Sequence, residues 1–167
     1  MKKQEIHKVL TTKNLSIGYG SKKGDKEIAK NINLELQKGE WVSLVGRNGI
    51  GKSTLLRTLS KMQPRLGGEI YLENKNIDDY SRIDLAKIIS LVLTERIPSS
   101  NLTVYELIAL GRQPYTNWIG KLLQEDLDHI NEAMKQSHLT ELMHDRCDKL
   151  SDGQLQRAMI CRALAQN

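Results

Sequence analysis

Residues 46–54 read Gly46-Arg47-Asn48-Gly49-Ile50-Gly51-Lys52-Ser53-Thr54, and no other stretch narrows the possible folds as far. They satisfy G-x-x-x-x-G-K-[ST], a phosphate-binding pattern that needs a strand before it and a helix after it. The run Trp41-Val42-Ser43-Leu44-Val45 predicts a buried parallel strand, and 52–61 predicts a helix with Leu55, Leu56, Leu59 and Met62 on the face packed on a sheet. Glycines at 46, 49 and 51 let the backbone bring its N–H groups up to phosphate oxygens, and the helix mouth adds its positive dipole end. In this reading Lys52 gives its charge to the β- and γ-phosphates, and the Ser53 hydroxyl is a ligand of a bridging Mg²⁺. A chance glycine turn would have to place a lysine and a serine at the same offsets between a strand and a helix.

Length and composition fit that core. A chain of 167 residues has room for one domain, and with no phenylalanine its interior must come from Leu, Ile and Val, as in a sheet flanked by helices. The net charge of +5 is spread among acidic residues, which describes a solvated surface and predicts no nucleic-acid partner. Cys147, Cys161 and the histidines at 7, 129, 138 and 144 show no ligand spacing, so neither a metal cluster nor a disulfide framework is expected. No run of about 18 apolar residues is present and no signal core follows Met1, so the expectation is a soluble, cytoplasmic chain.

Before the glycine loop, Leu15 and Ile17 alternate with polar residues over 9–19, closing in Gly18-Tyr19-Gly20. A polar hairpin loop over 21–26 follows, then Ile32, Leu34 and Leu36 alternate again, so an antiparallel ribbon leads into 41–45. Tyr19 fits either a half-buried strand tyrosine or a ring stacked on an adenine base. After the loop come Pro64, Gly67-Gly68 and a hairpin about Asn74-Lys75, a polar helix over 81–86, and an apolar run over 88–93 that predicts a second buried strand ending at Thr94 on the rim where open α/β sheets bind ligands. Thr103 and Glu106 form a capping box for a helix ended by Gly111. Leu127, Ile130, Ala133 and Met134 mark another helix, 139–145 a short third one, and 95–150 carries no strand signal. Leu150-Ser151-Asp152-Gly153-Gln154-Leu155-Gln156-Arg157 then opens a helix with Ala158, Met159, Ile160, Ala163 and Leu164. By itself this is either a plain serine-capped helix or a second anion site at a helix N-terminus.

The two motifs as a pair, in this order and with a helical insertion between them, resemble the nucleotide-binding subunit of an ATP-binding cassette (ABC) transporter. Residues 150–157 are similar to that family's L-S-G-G-Q signature, and Tyr19 falls where the family keeps its adenine-stacking aromatic. The resemblance covers the whole chain and implies an α/β, P-loop NTPase (RecA-like) core with an antiparallel β ribbon and a helical insertion. The segments would be 1–94 for the nucleotide-binding core, 95–149 for the helical subdomain, and 150–167 for the signature and the start of the helix returning to the core. It implies ATP and Mg²⁺, with Gly46 to Thr54 and Tyr19 holding nucleotide. It also implies a head-to-tail homodimer in which Ser151, Asp152, Gly153 and Gln154 meet the ATP of a twin chain. Membrane permease subunits, a substrate-binding protein and a peripheral place at the inner face of the cell membrane follow. Leu102-Thr103-Val104-Tyr105-Glu106-Leu107-Ile108-Ala109-Leu110-Gly111-Arg112-Gln113-Pro114-Tyr115 resembles the importers of iron-siderophore, haem and cobalamin type.

Three departures from the family pattern stand out. Thr94 occupies the place of a glutamine that contacts Mg²⁺, and its shorter side chain reaches less far. Asp152 replaces the signature's first glycine and is expected to turn outward, away from an incoming γ-phosphate. The chain reaches Asn167 before the family's Asp-Glu strand, which supplies the general base, and before its switch histidine; no catalytic residue is therefore assigned. The expectation is an N-terminal fragment, with the C-terminal part of the sheet missing, that does not turn ATP over alone. Competing readings are a soluble, non-transport ABC ATPase, a non-catalytic nucleotide-binding fragment, and a P-loop kinase or GTPase.

Overall fold

The computed structural model describes residues 7–21, 24–92 and 101–166. Packing divides the chain into two units, Met1–Ser81 and Arg82–Asn167. The first boundary expected from sequence lay after residue 94. Here 82–92 packs with the helices instead: Gln166 Nε2 donates to the backbone oxygens of Ala86 and Ile89, Ser90 Oγ donates to the Ala163 oxygen, and Val92 lies against the helical core.

The first unit is built on strand β1, Lys8–Tyr19. Its partners are β2 (Lys26–Ile32), β3 (Glu35–Gln37) and β4 (Gly67–Leu72), all antiparallel, and β4 pairs in turn with β5 (Lys75–Asn76). β3 and β2 share one edge of β1, β3 beside Lys8 to Thr11 and β2 beside Leu15 to Tyr19. The changeover is at Asn14, whose φ of 46° bends the strand, and there the Asn14 N–H donates to Asn33 Oδ1 at 2.9 Å. Gly68 makes the matching approach on the other edge: a Cβ there would lie 2.3 Å from the Asn14 oxygen, and its φ is 78°. The alternation read from sequence is realised, since Leu15 and Ile17 are buried with Leu10, Ile70, Leu72 and Ile77.

Helix α1, Lys52–Leu59, follows the glycine loop. Two expectations fail around it. The run at 41–45 forms no strand: it pairs with nothing among the described residues, and Trp41 is 99% and Val45 89% exposed. The expected buried face of α1 is also uncovered, because Leu56 and Met62 are exposed while Thr54 and Thr58 are buried. Both misses have one cause. A parallel strand is held by ladders from neighbours on either side, and without them it presents no sheet for the leucines to pack on.

The second unit is helical: α2 (Arg82–Ala86), α3 (Val104–Ala109), α4 (Gln124–Gln136) and α5 (Asp152–Ala165). The expected strand over 88–93 is absent from its described part, where 87–88 turn and 89–92 are irregular. Thr103 caps α3 through the expected box with Glu106. Gly111 does not stop the chain's coiling, which continues as a 3₁₀ turn over Leu110–Tyr115, and the expected third helix is only the 3₁₀ turn Thr140–Leu142. Val104, Leu107 and Ile108 of α3, Ile130, Ala133 and Met134 of α4, and Ala158, Cys161 and Ala165 of α5 form the core, while Ile160 and Leu164 face out.

Within that core lies a buried ion pair. Arg112 Nε donates to Asp126 Oδ1 at 2.9 Å, and both side chains are almost fully enclosed. Burial pushes the Asp126 carboxyl up, but the Leu123 N–H and Arg112 outweigh it and hold it below the ordinary aspartate range. A depressed carboxyl contributes stability that is complete above the unfolded-state pKa and is lost as pH falls through the folded one. Unfolding followed by circular dichroism should therefore be level above about pH 5 and weaken below it. Asp126→Ala should cost about 3–5 kcal/mol at neutral pH, because Arg112 is left buried without its counter-charge.

Candidate functional site

Of the context the pattern needs, the helix after the glycine loop forms and the strand before it does not, and two of its three glycines take left-handed backbone while Gly46 does not. Gly49 and Gly51 have φ of 79° and 109°, and Gly51 precedes α1 with no side-chain cap. The first intrahelical bond runs from the Leu55 N–H to the Gly51 oxygen at 2.8 Å, so the N–H groups of Lys52, Ser53 and Thr54 are left at the open helix mouth. Lys52 Nζ reaches back over the loop and donates to the oxygens of Gly46 at 2.7 Å and Arg47 at 2.9 Å. The Ile50 N–H bonds the Arg47 oxygen, which closes the turn through Asn48. The ammonium is thus held by two carbonyl oxygens at the start of the loop. Such an arrangement suits an anion of several charges, for which the lysine would exchange its carbonyl partners. The Ser53 side chain is exposed in the first turn, where a cation bridging such phosphates would meet its hydroxyl. Among the described residues no group of three His, Cys, Asp or Glu residues is placed to hold a metal on its own, so the site suits a cation that arrives with the phosphates.

Tyr19 ends β1 beside this loop. Its hydroxyl lies 3.2 Å from Thr54 Oγ1, and the side chain is half exposed. The phenol is therefore anchored to α1 while part of the ring is open to a flat partner.

The signature segment lies in the helical unit, at the N-terminus of α5. The Ser151 hydroxyl accepts from the Gln154 N–H at 3.3 Å, and Gln154 Oε1 accepts from the Ser151 N–H at 2.9 Å, a reciprocal capping box. Ser151, Asp152 and Gly153 are exposed, and a Cβ at Gly153 would meet nothing within 4 Å, so this end of the helix is open to approach. The expected site residue Thr94 lies outside the described residues.

Sequence reasoning missed two features. Asp126 as the partner of Arg112 was not seen, although a carboxylate in the first turn of a helix after the Gly120 turn is the available signal. The second is a groove of about 610 Å³ in the helical unit, lined by Arg82, Ile83, Pro114, Asn117 and Trp118 among others. Trp118 is 94% exposed, in a turn closed by the Gly120 N–H on the Asn117 oxygen, and a lone tryptophan between Asn117 and Gly120 was the clue.

Known proteins are similar to this chain. A family model described as ABC transporter matches residues 29–167. An uncharacterized ABC transporter ATP-binding protein of Methanocaldococcus jannaschii is 40% identical over 158 residues, 95% of this chain and 53% of that one. An iron(3+)-hydroxamate import ATP-binding protein of Bacillus subtilis is 38% identical over 157 residues, 94% of this chain and 57% of its own length. The dimeric structure of a bacterial ABC transporter cassette superposes with a TM-score of 0.77 at 30% identity, over 94% of this chain and 69% of that one. The chain thus spans about half the length of the curated relatives it matches.

Gly51 tests the loop geometry. A Cβ there would stand 2.5 Å from Ile28 Cγ2 in a backbone conformation that side chains rarely adopt. Gly51→Ala should lower stability by about 1–3 kcal/mol in a denaturant melt, and adding Ile28→Ala should recover only part of it, because the backbone strain remains.

Proposed function

The chain belongs to the ABC transporter family, and from that premise we propose that it is the ATP-binding part of an importer. ATP binding and hydrolysis there drive uptake of an iron complex, haem or cobalamin. The observation that carries the nucleotide site is the Lys52 ammonium folded back on the carbonyls of Gly46 and Arg47, at the start of a helix preceded by the left-handed Gly49 and Gly51. Gly46 to Thr54 grip the triphosphate, and the Tyr19 ring stacks on the base, steadied by its bond to Thr54. Ser53 Oγ would hold a magnesium ion arriving with the phosphates, which would supply charge neutralisation there. The choice of cargo class is supported by the 102–115 run and by the printed role of the iron(3+)-hydroxamate relative.

In this reading two copies assemble head to tail, and the open α5 end of each meets the triphosphate on the other. Ser151, Gly153 and Gln154 offer a hydroxyl, bare backbone and an amide there, and the exposed Asp152 turns to solvent. The related dimeric cassette supports a two-copy assembly. The membrane subunits dock on the helical unit, and the Trp118 groove is the apolar surface available to them. No described helix is long and apolar enough to cross a membrane.

Calorimetric titration with ATP is the test. Lys52→Ala should weaken binding at least tenfold, about 1.4 kcal/mol. Tyr19→Ala should weaken ATP several-fold and leave inorganic triphosphate unchanged. Equal affinity of wild type and Lys52→Ala would remove the nucleotide reading. A preference for GTP over ATP would favour a GTPase. Failure of the whole protein to co-purify with any integral membrane subunit would favour a soluble, non-transport ATPase.

A further inference from the structure

We propose that Arg112 is a positioning residue for the signature: by fixing the far end of α5, it sets where Ser151 and Gln154 stand. The proposal rests on the reading above, in which those residues meet the triphosphate of a second copy of this chain.

The contacts that hold α5 are of two kinds. Along its length it buries Ala158, Met159, Cys161 and Ala165, and apolar contacts of that sort give energy without direction, so a smooth face can slide or turn. The directional contacts gather at its C-terminal end. Arg112 Nη1 donates to the Ala165 oxygen at 3.0 Å while Nε holds Asp126 at 2.9 Å, and the guanidinium lies over the Tyr115 ring, 3.9 Å from its centre. Asp126 is fixed in turn, because its second oxygen accepts from the Leu123 N–H at the start of α4. Ser90 adds a bond to the Ala163 oxygen. Next to Arg112, Gly111 lets α5 come close: a Cβ there would stand 2.3 Å from the Arg162 oxygen.

One planar side chain therefore ties the 3₁₀ turn, the first turn of α4 and the last carbonyls of α5 into a single joint. α5 has 14 residues, a rod about 21 Å long, so a small rotation at the joint is delivered undiminished to Ser151 at the opposite end. Lysine cannot replace this fork, because one ammonium cannot hold Asp126 and the Ala165 oxygen in a fixed plane. Arg112 is buried, and its hydrogen bonds go to Asp126 and the Ala165 oxygen, so it acts through the helix it holds.

The experiment is complementation between copies of the whole protein, read as ATP-dependent dimer formation by size exclusion without Mg²⁺. Arg112→Lys and Asp126→Asn should each need at least tenfold more ATP for half-maximal dimer, with single-chain ATP affinity within twofold of wild type. Mixing either variant with Lys52→Ala should return the ATP requirement to within about threefold of wild type. The mixed dimer has one site built from an unaltered glycine loop and an unaltered signature. A misfolded chain or one defective in its own nucleotide loop would gain nothing from the mixture; should Arg112→Lys fail to fold, Asp126→Asn decides. Wild-type dimerisation by both variants, or no rescue of either, overturns the proposal. If wild type itself never dimerises with ATP, the functional reading falls and this proposal falls with it.

Discussion

The ladder of β1 is the constraint on which the first unit depends. Twelve residues of one strand supply partners for three others, and all the pairing among the described residues is antiparallel. The same strand carries Ile17 beneath Gly51 and Tyr19 beside Thr54, which puts the glycine loop and the candidate base-stacking ring on one support. The bend at Asn14 lets one edge serve two partners in succession, and Gly68 is the residue that makes room for it.

The helical unit rests on different physics. Its core is built of aliphatic and small side chains, and its helices are held in register by polar groups at their ends: the Thr103 box, the Ser151 box and the Arg112 joint. These devices fix position where apolar packing alone would leave freedom. An anion site at the mouth of a helix is only as well placed as the helix itself, which is why the end of α5 farthest from Ser151 matters to function.

Local chemistry was legible in the sequence, and pairing at a distance was not. The Thr103 capping box, the Ser151 cap, the strand alternation at Leu15 and Ile17, and the left-handed Gly49 and Gly51 are consequences of residues a few positions apart, and each is realised. The two runs at 41–45 and 88–92 were misread because their hydrophobicity promises a strand without saying what it pairs with. The leucine face of α1 was misjudged for the same reason, since a helix buries whichever side finds a surface. Asp126 was missed because an ion pair fourteen residues apart leaves no periodic trace.

The bare run at 41–45 also bears on how copies of this chain behave in company. Four of its five residues, Trp41, Val42, Leu44 and Val45, present apolar side chains to water, and its backbone pairs with no strand among the described residues, the makings of a template for intermolecular β association. Lys38 and Glu40 stand just before it and Arg47 just after. Charges so placed act as gatekeepers, opposing the stacking of one copy on the next and keeping a sticky edge in solution until a proper neighbour covers it.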